Sequence, residues 1–209
     1  MSVLDKLACS LGCRDEVPNQ ELARRLVETG DRNGVREVAE GLWHKTPAVQ
    51  ADCIKVLYEV GYLKPGLIAP FARDFLKLLK SRNNRLVWGG MIALSTISAL
   101  AADELFPRWD EIRKAMDTGS VITRDGGVLT LAGIASTSQE RGAAIFPYLL
   151  EHLRTCRPKD VPQHCEKILQ AVNAGNKAEF IAMLEQRLED LQGTQVKRVQ
   201  KVIGQARQR

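Results

Sequence analysis

Four nine-residue stretches of this chain superimpose without a gap. They are residues 49–57 (VQADCIKVL), 86–94 (LVWGGMIAL), 123–131 (TRDGGVLTL) and 161–169 (VPQHCEKIL). The fifth position is small every time: Cys53, Gly90, Gly127 and Cys165. The ninth is always leucine, and Leu57, Leu94, Leu131 and Leu169 are spaced by 37, 37 and 38 residues. Self-similarity at such a period marks stacked supersecondary units, each too small to bury its own apolar face. It sets the architecture before any residue is given a role.

Around the repeat, apolar residues recur with helical spacing and strand-like alternation is absent. Helices are expected over 35–45, from Thr46-Pro47 to a C-cap at Gly61, over 66–80, over 84–97, 104–117 and 121–135. Further helices are expected over 139–154 behind an N-cap at Ser138, then over 163–174, 177–191 and 195–206. Thr at an N-cap followed by Pro at the first helical position is a start signal. Upstream, Val3, Leu4, Leu7, Ala8 and Leu11 form an apolar stripe ending at Gly12, and Asn19 is placed as the N-cap of a helix over 20–29. Such an atypical end suits a capping element. The expected fold is all-α: a right-handed α-α superhelix of about five helical hairpins. Residues 1–32 form an N-terminal helical cap and 33–209 the array, as one domain.

The first helices of the hairpins share a mark. Leu67-Ile68-Ala69-Pro70-Phe71, Glu104-Leu105-Phe106-Pro107 and Ala144-Ile145-Phe146-Pro147 each place a proline about one turn in, and the prolines are 37 and 40 residues apart. Proline removes a backbone donor and crowds the preceding turn, so a bend is expected there. With the turn Thr46-Pro47-Ala48-Val49 and the ending Leu78-Leu79-Lys80, these features resemble the HEAT-repeat family over residues 33–209. The resemblance implies a two-layer solenoid whose second helices line a concave face. It is specific for architecture rather than activity, because arrays of this kind serve many functions.

Composition narrows the function classes. Subtracting the five basic residues of the acid-free stretch 194–209 from the net charge of +5 leaves a balanced body. A basic tail is more often a solvated end than a binding site, and the alternative is phosphate contact through Lys197, Arg198 and Lys201. Aromatics are only 5%, too few for a base-stacking cleft. The cysteines, Cys9, Cys13, Cys53, Cys156 and Cys165, are odd in number and lack the spacing of a disulfide scaffold, which points to a reducing cytoplasm. No apolar run is long enough to span a bilayer.

Catalytic constellations are missing from the sequence. His44, His152 and His164 lie far apart in the chain, without a carboxylate or cysteine at metal-ligand spacing, so no metal and no cofactor are expected. What remains is surface. Gly89, Ala93 and Thr96 in one second helix and Gly126, Thr130 and Gly133 in the next form a stripe of small residues. Either adjacent helices press together through them, or they leave a groove for a partner helix or peptide. Trp88 is the other candidate. Its repeat equivalents Ala51, Asp125 and Gln163 suggest partial exposure, beside Arg85 and Arg124. The expected function is thus a non-catalytic scaffold or adapter binding a protein or peptide through Arg85, Trp88, Gly89, Arg124 and Asp125. The alternative is a nucleic-acid-binding or DNA-repair protein of the HEAT-like alkylpurine glycosylase type, for which Trp109-Asp110 would be the residues to inspect. An enzyme-associated subunit of the bilin-lyase type stays open beside both.

Overall fold

The computed structural model describes residues 2–209, and among these every regular element is a helix. The chain forms two compact units, residues 1–127 and 128–209, with the division inside one helix. The first unit holds a 3₁₀ turn Val3–Lys6, then α1 (Val17–Thr29), α2 (Arg32–Glu40), α3 (Pro47–Leu63), α4 (Ala72–Leu78), α5 (Asn84–Ile97), α6 (Ala102–Leu105), α7 (Trp109–Thr118) and the start of α8 (Val121–Ala135). The second holds the rest of α8, then α9 (Gln139–Thr155), α10 (Val161–Ile168), α11 (Lys177–Arg187) and α12 (Thr194–Arg207).

The repeat register sets the core. Leu57, Leu94 and Leu131 are all 0% exposed, and Cys53 and Cys165 sit beside them at 0%. Fully burying a leucine is worth about 1.5–3 kcal/mol relative to leaving it in water, so this ladder is a principal source of cohesion. In the first unit α3 packs on α1, α2 and α5, and α5 packs on α4. In the second, α10 packs on α12 and α9 on α11. The fourth copy departs from the pattern. α10 stops at Ile168 and tightens into a 3₁₀ turn over Leu169–Ala171. A 3₁₀ turn advances about 120° per residue instead of 100°. Leu169 is thereby swung partly into solvent, and Ile168 is the fully buried residue in its place.

The prolines act by position. Pro70 lies in a 3₁₀ turn, Ala69–Phe71, that precedes α4, and Pro107 lies in the 3₁₀ turn Phe106–Arg108 that separates α6 from α7. Pro147 is instead accommodated inside the continuous helix α9. The same lost donor therefore breaks the helix in two hairpins and is absorbed in the third.

The N-terminal stretch differs from the expected helix over 1–12. Only Val3–Lys6 is helical, as a single 3₁₀ turn. Two side chains from elsewhere claim its backbone donors: Ala8 N–H donates to Asn19 Oδ1 at 3.0 Å and Cys9 N–H to Asp52 Oδ2 at 2.7 Å. Asn19 is thus a buried anchor inside α1 rather than its N-cap, and α1 begins at Val17. Nearby, α2 begins at Arg32 rather than Val35, with Asp31 as its N-cap, its side chain accepting from Gly34 N–H at 2.9 Å. Gly61 does not end α3, which runs to Leu63. That glycine is buried where a Cβ would collide with Thr96 and Ile68, so close helix approach explains it better than capping.

Candidate functional site

The candidate surface of the first unit is built on α3 and α5. Residues one turn apart on a helix share a face, so α3 aligns Lys55, Tyr58, Glu59 and Tyr62, and α5 brings Arg85 and Trp88 alongside. The ring centroids of Tyr58 and Trp88 are 6.2 Å apart and those of Tyr58 and Tyr62 are 6.0 Å apart, the latter edge-on. Tyr58 is buried at the middle of the row, with half-buried Trp88 on one side and Tyr62, 60% exposed, on the other. Aromatic pairs at such spacing favour tilted or edge-on geometry and contribute beyond their buried area.

Charges frame this row. The Lys55 ammonium lies 4.9 Å from the Tyr58 ring centroid and pairs with Glu16 and Glu59, each at 2.8 Å. Burial alone would lower its pKa, but the two carboxylates outweigh that and hold it above the ordinary lysine value. Arg85 completes the bridge, its Nη2 reaching Glu16 at 2.9 Å. Glu16, at the N-cap of α1, therefore ties α1 to both α3 and α5. Arg124 and Asp125 are half-buried near the start of α8, just after the exposed Val121 and Ile122.

Gly89 does not belong to an open surface. It is buried, and a Cβ there would lie 2.7 Å from Ile54 of α3. A Cβ on Gly126 would lie 2.9 Å from Met91 of α5. Ala93, Thr130 and Gly133 are also buried, and only Thr96 is partly exposed. Of the two alternatives, the stripe of small residues forms a packed seam between second helices, which removes buried Gly89 from the contact residues. Small side chains let the backbones approach, and the neighbouring Ile54 and Met91 fill the space.

At the C-terminal end, Lys197, Arg198 and Lys201 are all exposed on α12. Arg198 is committed elsewhere. Its Nε and Nη2 each donate to Glu166 of α10 at 2.8 Å, a bidentate pair, and that hydrogen bonding holds the Glu166 carboxyl below its usual value. Asp110 is similarly engaged. It pairs with Arg113 at 2.6 Å and Lys114 at 2.7 Å, and hydrogen bonds from Lys114 and Arg113 depress its pKa. A carboxylate so held is poorly suited to accept a proton as a general base.

The second unit brings together side chains that looked unrelated in the sequence. His152 Nε2 of α9 and His164 Nδ1 of α10 are 3.0 Å apart, and Cys156 joins them with all their ligand atoms within 4.8 Å of one another. The reading of these histidines as isolated is corrected: a 3₁₀ turn over Pro158–Asp160 reverses the chain and returns His164 to the end of α9. The sequence did hold a local signal, since His152 and Cys156 are separated by four residues, one helical turn. Beside them lies Arg187 of α11, 7% exposed, which donates to the carbonyls of Leu153, Arg154 and Cys156 at 2.5, 2.8 and 3.0 Å. Helix ends leave such carbonyls unpaired, and a cation there also complements the macrodipole. Burial raises the Cys156 thiol pKa, while Arg187 opposes the rise. Burial, helped by nearby acidic groups, pushes Cys53 and Cys165 to about 12, so these two behave as compact apolar residues.

No protein-family model matches the sequence, and no curated protein is significantly similar to it. Solved structures are similar in fold. An engineered protein superimposes with a TM-score of 0.70 at 17% identity, covering 100% of this chain and 98% of that one. A designed armadillo repeat protein in complex with the peptide (KR)4 gives 0.65 at 17%, covering 90% and 85%. Kap121p bound to Pho4p gives 0.65 at 16%, where 96% of this chain corresponds to 22% of the karyopherin. With its helix-turn-helix repeats in register, the chain has the HEAT/armadillo-type helical-repeat fold.

Proposed function

We propose that the chain is a non-catalytic scaffold or adapter that binds a protein or peptide on the face carried by α3, α5 and the start of α8, the concave face in folds of this type. The observation that carries this reading is the Trp88–Tyr58–Tyr62 row, which ends in a tyrosine 60% exposed. Half-buried aromatics held rigid by neighbours and rimmed by charge are the usual anchors of an interface. Arg85, Trp88, Arg124 and Asp125 are the contact residues, with Tyr62 added from the structure. The rim carries both signs, which favours a polypeptide over a polyanion. The similar folds add support: one is a designed armadillo protein complexed with a peptide, another a karyopherin bound to a protein. Cytoplasmic location is part of the proposal, resting on cysteines that are all free thiols.

The test is a pull-down from native lysate at low and moderate salt, with wild type beside Trp88→Ala and Tyr62→Ala. A protein retained by wild type at moderate salt and lost by both variants is the expected result. Equal retention by all three proteins would sink this surface. Nucleic acid that leaves as salt rises would move the function to Lys197 and Lys201.

A further inference from the structure

His152 and Cys156 stand one turn apart at the end of α9, and His164 lies one turn into α10. In a tetrahedral zinc site the metal–nitrogen distance is about 2.0–2.1 Å and the metal–sulfur distance about 2.3 Å, which sets neighbouring ligand atoms roughly 3.3–3.7 Å apart. The two imidazole nitrogens are already 3.0 Å apart, and the thiol lies with them inside a 4.8 Å group. Cys156 is half-buried and sits just past the helix end in extended backbone. Rotation about its Cα–Cβ bond moves the sulfur by the ångström or so that closure needs, without disturbing α9. The Cys156 thiol donates to the Leu153 carbonyl at 3.7 Å, a weak bond that a metal would replace.

The surroundings suit a ligand set rather than an incidental pair. His164 is only 1% exposed, so one nitrogen donor is fixed within the packed unit. Arg187 clamps the carbonyls of Leu153, Arg154 and Cys156, and is itself held by Asp190 at 2.9 Å. That clamp fixes the backbone from which the thiol projects, and its positive charge favours the thiolate that a metal requires. Neutral imidazoles with one thiolate select a borderline-soft cation over magnesium or calcium, which take oxygen ligands.

We propose that His152, Cys156 and His164 form a zinc-binding site in the second unit, with the fourth coordination position left to water or to an outside ligand. The three-ligand set distinguishes it from the closed four-ligand sites of structural zinc domains. Zinc would then link the end of α9 to α10 in place of the direct His–His contact. This site is independent of the aromatic face of the first unit.

Cobalt(II) reports the site, because a thiolate ligand adds a charge-transfer band in the near ultraviolet and tetrahedral geometry intensifies the visible bands. The reduced, metal-free full chain is titrated with cobalt and then with zinc. One equivalent should saturate both signals, and zinc should displace cobalt. Cys156→Ser should abolish the charge-transfer band, and His152→Gln should weaken binding at least about tenfold. A Cys9→Ser/Cys13→Ser double variant should bind as wild type. Both Cys156 and His152 are half-buried, so these variants keep the core, which circular dichroism checks. As a second readout, zinc should raise the melting temperature of wild type and leave that of Cys156→Ser unchanged. The proposal is overturned by absence of the charge-transfer band, by its persistence in Cys156→Ser, or by its loss in the Cys9/Cys13 variant.

Discussion

In residues 1–127 neighbouring helices meet through glycines: Gly89 of α5 against Ile54 of α3, Gly126 of α8 against Met91 of α5, and Gly127 of α8 against Met116 of α7. Within residues 128–209 polar contacts between helices are added to the apolar packing of residues such as Leu149, Phe146 and Phe180. His152 meets His164, Arg187 caps the end of α9, and Arg198 grips Glu166. One repeat, read in one register, thus brings its second helices together through glycine contacts in the first unit and adds hydrogen bonds and charge between helices in the second. A shape-closed seam depends on volume and tolerates no added methyl. A polar seam depends on partners and is harmed by removing one. The aromatic face belongs to the first kind of unit and the His–Cys–His group to the second.

The largest effect that would test this contrast is at the shared leucine. Leu94→Ala should cost about 2–5 kcal/mol in chemical denaturation, the usual range for a buried leucine. Leu169→Ala at the equivalent, half-exposed position should cost less than about 1 kcal/mol. Equal costs would mean that the fourth copy of the repeat is packed like the other three. Next, Arg187→Met keeps apolar bulk but leaves the carbonyls of Leu153, Arg154 and Cys156 without their donor. A loss of about 2–4 kcal/mol is expected in the same measurement, and no loss would show that the polar joint is not needed.

Glycines give a sharper test because the sign should change. Gly89→Val drives a branched side chain into Ile54 and should destabilise by about 1–3 kcal/mol. Gly204→Ala in α12 meets nothing within 4 Å. It should stabilise by about 0.5–1 kcal/mol, because alanine is the better helix former. The smallest effect concerns pH. The Glu166 carboxyl is held below its reference value of 4.5, chiefly by its hydrogen bonds from Arg198. Its contribution is therefore present above about pH 4.5 and is lost as pH falls through the lower, folded-state value. Both partners are partly exposed, at 48% and 42%, so the contribution stays below about 1 kcal/mol. Comparing wild type with Glu166→Gln, the stability difference should be measurable near pH 7 and shrink progressively as pH falls below 4.5. A difference that persisted in acid would mean that Glu166 acts through packing.

Much of the fold was legible because helical periodicity is local. Leu57, Leu94 and Leu131 could be placed inside from spacing alone, as could Cys53 and Cys165. Misreadings arose where a distant residue intervened. Asn19 has the chemistry of an N-cap, but its acceptor is taken by Ala8 N–H, eleven residues earlier. Gly61 has the chemistry of a C-cap, but it marks the approach of Thr96 from α5. Of the candidate contact residues, Trp88 and Arg85 lie side by side on α5, and Tyr62 was missed because a tyrosine near a helix end carries no distinctive spacing.

By itself the sequence determined the repeat, the helix faces and the apolar ladder, because these follow from 3.6 residues per turn and need no knowledge of neighbours. Tertiary structure decided whether the small residues form a groove or a seam, and where the charges go. It also decided the meeting of His152 and His164, twelve residues apart, and the reach of Arg187 over 31–34 residues to the end of α9. Such contacts depend on how one helix is set against the next, and periodicity within a helix does not encode that setting.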